Sequence, residues 1–287
     1  MLMKNPKWLL SVFGAMMPMI AGPSLKSAPV KIKCEELVAG HLESIGSAEA
    51  RAKVRTRAMK GSAGVIFRLG DSGGLSGEGS ILSEGRKIRI AMNFGHPSYP
   101  GEHHAFDGKS VTVGIVKPSQ RSNLSQFLYE HSFLMREGLI GGTLATGWCL
   151  LDMEQRKPEL KYKGLKAIEG KELHQLEYKS RQGENLMRVN LYFQPDTFRH
   201  VLTKYVLTIP AQMGHSPVES ALLRDRVFSL TEKFDNFQPV DGLTLPHLYR
   251  LVFSYEGQSE TFLTEYEIQA GVILHNIEVD EQEFRIQ

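Results

Sequence analysis

The sequence predicts an α+β fold in which one large, curved antiparallel sheet carries helices against one face. Three observations predict it. Apolar and polar residues alternate in run after run, the period of a strand with one buried face. Turn-forming residues separate those runs. One central stretch, "SNLSQFLYEHSFLMREGLIGGTLATGWCLLD", has no such alternation. No linker-like shift in composition divides the chain, so one domain is expected, with two separate β domains as the alternative.

The chain opens with "MLMKNPKWLLSVFGAMMPMIAG". Lys4 and Lys7 precede an apolar run from Trp8 to Ile20, and the small residues Ala21, Gly22 and Ser24 follow. Charged, then apolar, then small is the order of a secretory leader. The run falls short of the ~20 residues that span a bilayer, and Pro18 weakens it further as an anchor. A signal peptide over residues 1–22 is expected, with cleavage as late as residue 28, followed by one domain over 23–287. The competing reading is a short amphipathic anchor or a buried helix. At 41% hydrophobic and 23% charged, the chain can bury a sizeable core. Its formal charge of +2 falls to near neutral once Lys4 and Lys7 leave. That speaks against nucleic acid, whose binding rests on many phosphate contacts. Cys34 and Cys149 are the only cysteines. In an exported protein they permit one disulfide or two buried thiols. Lys31, Ile32 and Lys33 stand where a lipid-modified cysteine needs small residues, so Cys34 carries no lipid.

"KCEELVAGHLESIGSAEARAKV" reads as a helix. Leu37, Val38, Leu42 and Ile45 recur at helical spacing, and Gly46 is its stop. The period then changes to two. Ile88, Ile90, Met92 and Phe94 share a face in "RKIRIAMNF", and Val111, Val113 and Ile115 share one in "KSVTVGI". So do Met187, Val189, Leu191 and Phe193; Val201, Tyr205 and Leu207; Tyr249, Leu251, Phe253 and Tyr255; and Phe262, Tyr266 and Ile268. Between the runs stand Asp71 to Gly74, Glu84-Gly85, Asp107-Gly108, Glu169-Gly170, Gly183, Pro195-Asp196, Asp241-Gly242 and Glu256-Gly257. In the central stretch a helix capped near Ser122 or Asn123 is interrupted by Gly138, Gly141 and Gly142. A second short helix is expected through Leu144 to Leu151.

Several motifs invite a catalytic reading and fail on context. Gly70-Asp71-Ser72-Gly73-Gly74 spells the surroundings of a serine nucleophile. An elbow serine needs a helix after it, and a β pattern with further glycines follows Ser72. The chymotrypsin order needs His and Asp well before the serine, and His41, inside the first helix, is the sole histidine upstream. The stretch reads as a hairpin turn in which glycine supplies positive φ. His103 and His104 point to opposite faces of a strand and cannot share a metal ion; both read as partly exposed. The other histidines keep no ligand spacing. No carboxylate pair stands out among apolar residues as an acid/base couple. The expectation is no catalytic residue, no metal and no cofactor.

The apolar inventory is the informative feature. A sheet this size with few helices must close or leave an apolar concavity, and such a concavity suits a lipid or acyl chain. Met, present 11 times though several lie in the leader, adapts to variable partners. The order of segments resembles the LolA/LolB-like superfamily of periplasmic lipoprotein carriers. "ELVAGHLESIGSAEARAKVRTRAMKGSA" is similar to that family's opening helix and first strand, and "GGLSGEGSILSEGRKIRIAM" to its next hairpin. "AFDGKSVTV" resembles a recurring turn. "LKYKGLKAIEGKELHQLEY" and "LYFQPDTFRHVLTKY" resemble its following strand units, and "FDNFQPVDGLTLPHLYRLVF" its closing segment. The resemblance implies a half-open β-barrel with helices closing an apolar cavity, and a soluble periplasmic location. It implies a non-enzymatic carrier for lipid or lipoprotein acyl chains in envelope lipoprotein sorting. Its partners would be lipid or acylated lipoprotein, with membrane-associated donor and acceptor proteins. The candidate lining is Ile88, Ile90, Met92, Phe94, Val111, Val113, Leu191, Phe193, Leu251 and Phe253. The candidate lid is Phe127, Leu128, Leu134, Met135 and Trp148. The alternative is a structural or partner-docking envelope protein with a filled core and no ligand.

Overall fold

The computed structural model describes residues 32–286 apart from 71–72, 116–119, 182, 184–185, 212–223 and 259. The expected signal peptide and its cleavage points lie outside the described residues, as do Asp71 and Ser72.

Twelve strands form one antiparallel sheet among the described residues. They are β1 (Thr56–Leu69), β2 (Gly73–Glu84), β3 (Lys87–His96), β4 (Tyr99–Phe106), β5 (Val111–Val113), β6 (Glu159–Ile168), β7 (Lys171–Lys179), β8 (Met187–Phe193), β9 (His200–Ile209), β10 (Arg226–Val240), β11 (Leu243–Glu256) and β12 (Thr261–His275). Their order is β5-β4-β3-β2-β1-β12-β11-β10-β9-β8-β7-β6. Every neighbour in space is a neighbour in sequence except β1 beside β12. Two meanders are therefore zipped along their first and last strands, with Arg57 opposite His275 and Phe67 opposite Thr264. The sheet does not close, because β5 and β6 are its two edges. Glu169-Gly170 and Asp241-Gly242 hold positive φ at both positions, the backbone of the hairpin turn whose twist matches its strands.

Before the sheet come α1 (Cys34–Ile45) and α2 (Ala48–Ala52). Helix α1 buries Leu37, Val38, His41 and Ile45; His41 joins the apolar face and Leu42 stays half-buried. Gly46 ends it at φ 147, where a Cβ would stand 2.7 Å from the Gly242 carbonyl oxygen.

The chain must travel from edge β5 to edge β6, and residues 120–158 make that crossing over one face. Helix α3 (Asn123–Glu130) starts where Ser122 Oγ accepts from the Ser125 N–H at 2.9 Å. Helix α4 (Phe133–Arg136) follows, then single turns at Gly142–Leu144 and Cys149–Leu151, then α5 (Met153–Arg156). The helix expected through Leu144 to Leu151 is replaced by those two turns. Gly138, Gly141 and Gly142 all take positive φ, which a continuing helix cannot use.

Leu124, Phe127, Leu128, Leu134, Met135, Leu139, Ile140, Leu144 and Trp148 of the crossing are buried in one core with the sheet. Both meanders contact the same short stretch. Ser83 of β2 bonds Thr146, and Tyr205 of β9 donates to the Leu139 carbonyl. The sheet thus wraps around the crossing. Three strand expectations need correction. Strand β5 is three residues long, Val111 and Val113 are half-buried and Ile115 is exposed. Val201 does not share a face with Tyr205, because Tyr192 pairs with Leu202 and Phe193 with His200. That bulge places Val201 with Leu202, Leu173 and Tyr192 in a small separate cluster. His104, expected to be partly exposed, is fully buried.

Candidate functional site

The structure puts the candidate lining and the candidate lid into direct contact. Ile88, Ile90, Met92 and Phe94 on β3, Leu191 and Phe193 on β8, and Leu251 and Phe253 on β11 all belong to the core beneath the crossing. Val111 packs at its margin. Phe127, Leu128, Leu134, Met135 and Trp148 meet them from above. The Phe127 and Phe253 rings are 5.1 Å apart, and Gly141 lets the crossing approach Ile88, whose Cδ1 lies 2.8 Å from where a Cβ would stand. The covered face is filled by side chains.

Polar clamps hold the crossing down. The Trp148 indole N–H donates to His41 Nε2 at 3.0 Å. An indole only donates, so His41 Nε2 is the acceptor and Nδ1 carries the proton, given to the Phe198 carbonyl at 3.2 Å. Burial pushes the His41 pKa down to about 3, so the ring is neutral. Arg57 Nη1 donates to the Thr143 carbonyl at 2.5 Å and its Nε to His275 Nε2 at 3.0 Å. Burial lowers its pKa to about 10.

Two buried carboxylates complete the clamps. Glu232 on β10 is wholly buried. It accepts from Tyr249 Oη at 2.6 Å and the Gly141 N–H at 2.7 Å, and lies 2.5 Å from Tyr205 Oη. Burial raises its pKa to about 7, against the opposing pull of these donors. The geometry favours the neutral acid. Tyr205 Oη also lies 3.1 Å from the Leu139 carbonyl oxygen and has one proton to give. A protonated Glu232 donates to Tyr205, which then donates to Leu139. An ionised Glu232 takes the tyrosine proton and leaves that carbonyl without it.

Glu102 on β4 is the counterpart. It accepts from Tyr99 Oη, from Ser125 Oγ at 2.8 Å and from Tyr266 Oη at 3.3 Å. Burial raises its pKa. His104 Nε2 stands 3.5 Å away, and burial holds that ring neutral with a pKa of about 3. The group is no serine triad: Ser125 donates straight to the carboxylate with no histidine between them, and Ser125, Glu102 and His104 are enclosed.

A cleft of about 890 Å³ opens beyond Tyr99 and Tyr266, at the end of the sheet where β1 turns into β2 and β3 into β4. Phe67, Leu69, Leu75, Tyr99, Phe262 and Tyr266 supply its apolar lining; His96, Ser98, Gln120, Arg121, Asn123 and Glu260 supply polar groups. Phe94 and Phe253, two of the sequence candidates, stand behind this wall. Phe94 stacks on Tyr99 at 5.9 Å and Phe253 meets Phe262 at 5.5 Å. The sequence pattern had placed Phe262 and Tyr266 on one face, without linking them to the glycine-rich turn. Gly70 and Gly73, at φ 91 and 124, bring that turn to the rim.

Cys34 and Cys149 are free thiols. Among the described residues no three His, Cys, Asp or Glu side chains are grouped to hold a metal, and no helix is long and apolar enough to cross a membrane.

No family model matches the chain, and no curated protein matches it. Among solved structures it is similar to a LolA superfamily protein from Nitrosomonas europaea, at 14% identity over 89% of this chain and 98% of that one, with a TM-score of 0.45. It is similar to a DUF1329 family protein from Desulfovibrio piger at 12% identity, over 88% and 96% of the two chains, with a TM-score of 0.39. It is also similar to a domain described as an outer membrane lipoprotein-sorting protein from Vibrio parahaemolyticus. There the identity is 11%, the coverage 86% and 95%, and the TM-score 0.39.

Proposed function

We propose that this chain is a non-enzymatic, periplasmic binding protein that takes an acyl chain of a lipid or lipoprotein into the cleft at the open end of its sheet, as a carrier in envelope lipoprotein sorting. The cleft carries the reading: about 890 Å³ lined by Phe67, Leu69, Leu75, Tyr99, Phe262 and Tyr266. That volume lies within the range of small-molecule sites. Burial of apolar surface at about 25 cal/mol per Å² would drive entry and discriminate weakly among chains. The polar rim suits a headgroup or peptide left in water. Displacement of the crossing would extend the cleft over Phe94 and Phe253 toward the other candidate lining residues. Membrane-associated donor and acceptor proteins would load and unload such a carrier.

The test is mass spectrometry of an organic extract from protein purified from a bacterial periplasm without detergent, with uptake of a fluorescent fatty acid in parallel. A stoichiometric acyl species, and uptake weakened about tenfold by Leu75→Trp, which fills the cleft, are expected. A clean extract with no uptake would overturn the reading.

One observation favours a second reading. The covered face is packed by residues 124–150, as a structural or partner-docking protein with a filled core would have it. That reading predicts the clean extract.

A further inference from the structure

A second concavity lies at the opposite end of β2, about 36 Å away if the strand runs at about 3.3 Å per residue. Its volume is about 190 Å³, and its lining is Arg86, Glu137, Gln155, Arg156, Lys157 and Arg181. Three distant pieces of chain meet there: the β2–β3 turn, the ends of α4 and α5, and the β7–β8 connection. Arg86 Nη2 and Arg156 Nη1 donate to the same oxygen, the Arg136 carbonyl, at 3.2 and 3.0 Å. Two guanidinium groups thus converge on one acceptor.

Arg156 is buried, its Nη2 donates to the Gly147 carbonyl at 3.2 Å, and its Nε has no hydrogen-bond partner. Asp152 stands 3.7 Å from that Nε. Arg86, Lys157 and Arg181 are exposed and form no ion pair among the described residues. The one acid in the lining, Glu137, accepts from Tyr178 Oη at 3.0 Å. The lining therefore holds four cations and one carboxylate that is already engaged; Asp152, outside it, pairs with Arg156 and leaves three cations without an acidic partner among the described residues. The backbone holds them there at a cost. Lys157 sits at φ 47, a left-handed conformation that costs a non-glycine residue about 1 kcal/mol or more. Gly138, at φ 64, permits an approach in which a Cβ would lie 2.1 Å from the Gly147 oxygen and 3.1 Å from Arg156 Nη2.

Converging like charges repel, and planar guanidinium forks match the oxygens of a phosphate group. We propose that this pocket binds a phosphate-group anion, free or as the headgroup of an anionic phospholipid. It is too small for a polymer and wide enough for one tetrahedral group. The proposal is independent of the acyl-chain reading and its cleft.

The test is isothermal titration of the full chain with inorganic phosphate and with pyrophosphate at constant ionic strength, alongside sedimentation with phosphatidylglycerol or phosphatidylcholine vesicles. Three proteins are compared: wild type, Arg86→Ala/Arg181→Ala, and Lys157→Gly, which removes a charge while relieving the left-handed backbone. Saturable binding by wild type, weakened roughly tenfold or more in both variants, is expected. Titration with the free anions alone marks a free ligand. Selective sedimentation with phosphatidylglycerol marks a headgroup. Absence of saturable binding to every probe, or binding that neither variant changes, overturns the proposal.

Discussion

Glu232 and Glu102 are the same device used in two places. Each is a wholly buried carboxyl group hydrogen-bonded to two tyrosine hydroxyls of the sheet and to one donor from the crossing: the Gly141 N–H for Glu232 and Ser125 Oγ for Glu102. Their surroundings differ. Glu232, Tyr205 and Tyr249 are wholly buried under the crossing, against Leu139 and Gly141. Glu102 is bonded to Tyr99 and Tyr266, which line the cleft. The enclosed carboxyl group ties down a covering segment, whereas the other stands behind a wall of phenols that faces open space.

The comparison can be broken most severely from the sealed side. Trp148→Ala should cost about 3–5 kcal/mol and leave His41 Nε2 without its donor, read as a lowered urea midpoint. The next effect is on pH dependence. Glu232 has a folded pKa raised to about 7, so its contribution is fully present below its unfolded value and is lost as pH rises through about 7. That loss is on the order of 3 kcal/mol. His41 and His104, lowered to about 3, act in the opposite sense: their contributions stand above about 6.5 and fade as pH falls toward 3. Stability should therefore peak in mildly acidic solution. Glu232→Gln should remove the decline between pH 5 and 8 in denaturation curves, while Glu102→Gln should leave that part of the decline in place.

Ser125→Ala should cost about 1 kcal/mol and loosen α3 over the cleft, visible as faster amide exchange in residues 123–130. Leu75→Trp should change stability by less than about 0.5 kcal/mol. A large loss there, measured by thermal unfolding, would mean that the open end is part of the core.

The covered face was legible because it follows period two: Ile88, Ile90, Met92 and Phe94 are all buried, as their alternation required. The antiparallel meander was legible in the turn residues; that the sheet stays half-open was implied only by the resemblance. The buried carboxylates were missed because a charge in a strand reads as a solvent-facing residue. Parity carried the signal: Glu232 shares a face with Leu230 and Phe234, and Glu102 with His104 and Phe106, all buried. The bulge at Val201 had no local marker. The filling of the face could not be read from strands at all, because it depends on how glycines at 138, 141 and 142 bend the crossing. The basic pocket joins turns far apart in sequence, which periodicity cannot bring together.

The pairing of β1 with β12 has a further consequence for the order of assembly. Arg57 meets His275 across 218 positions, and contacts of such separation form slowly because the loop between them must close first. Strand β1 can pair with its sequence neighbour β2 early, and its other flank stays open until β12 docks. For that interval β1 is a free edge able to recruit the wrong strand.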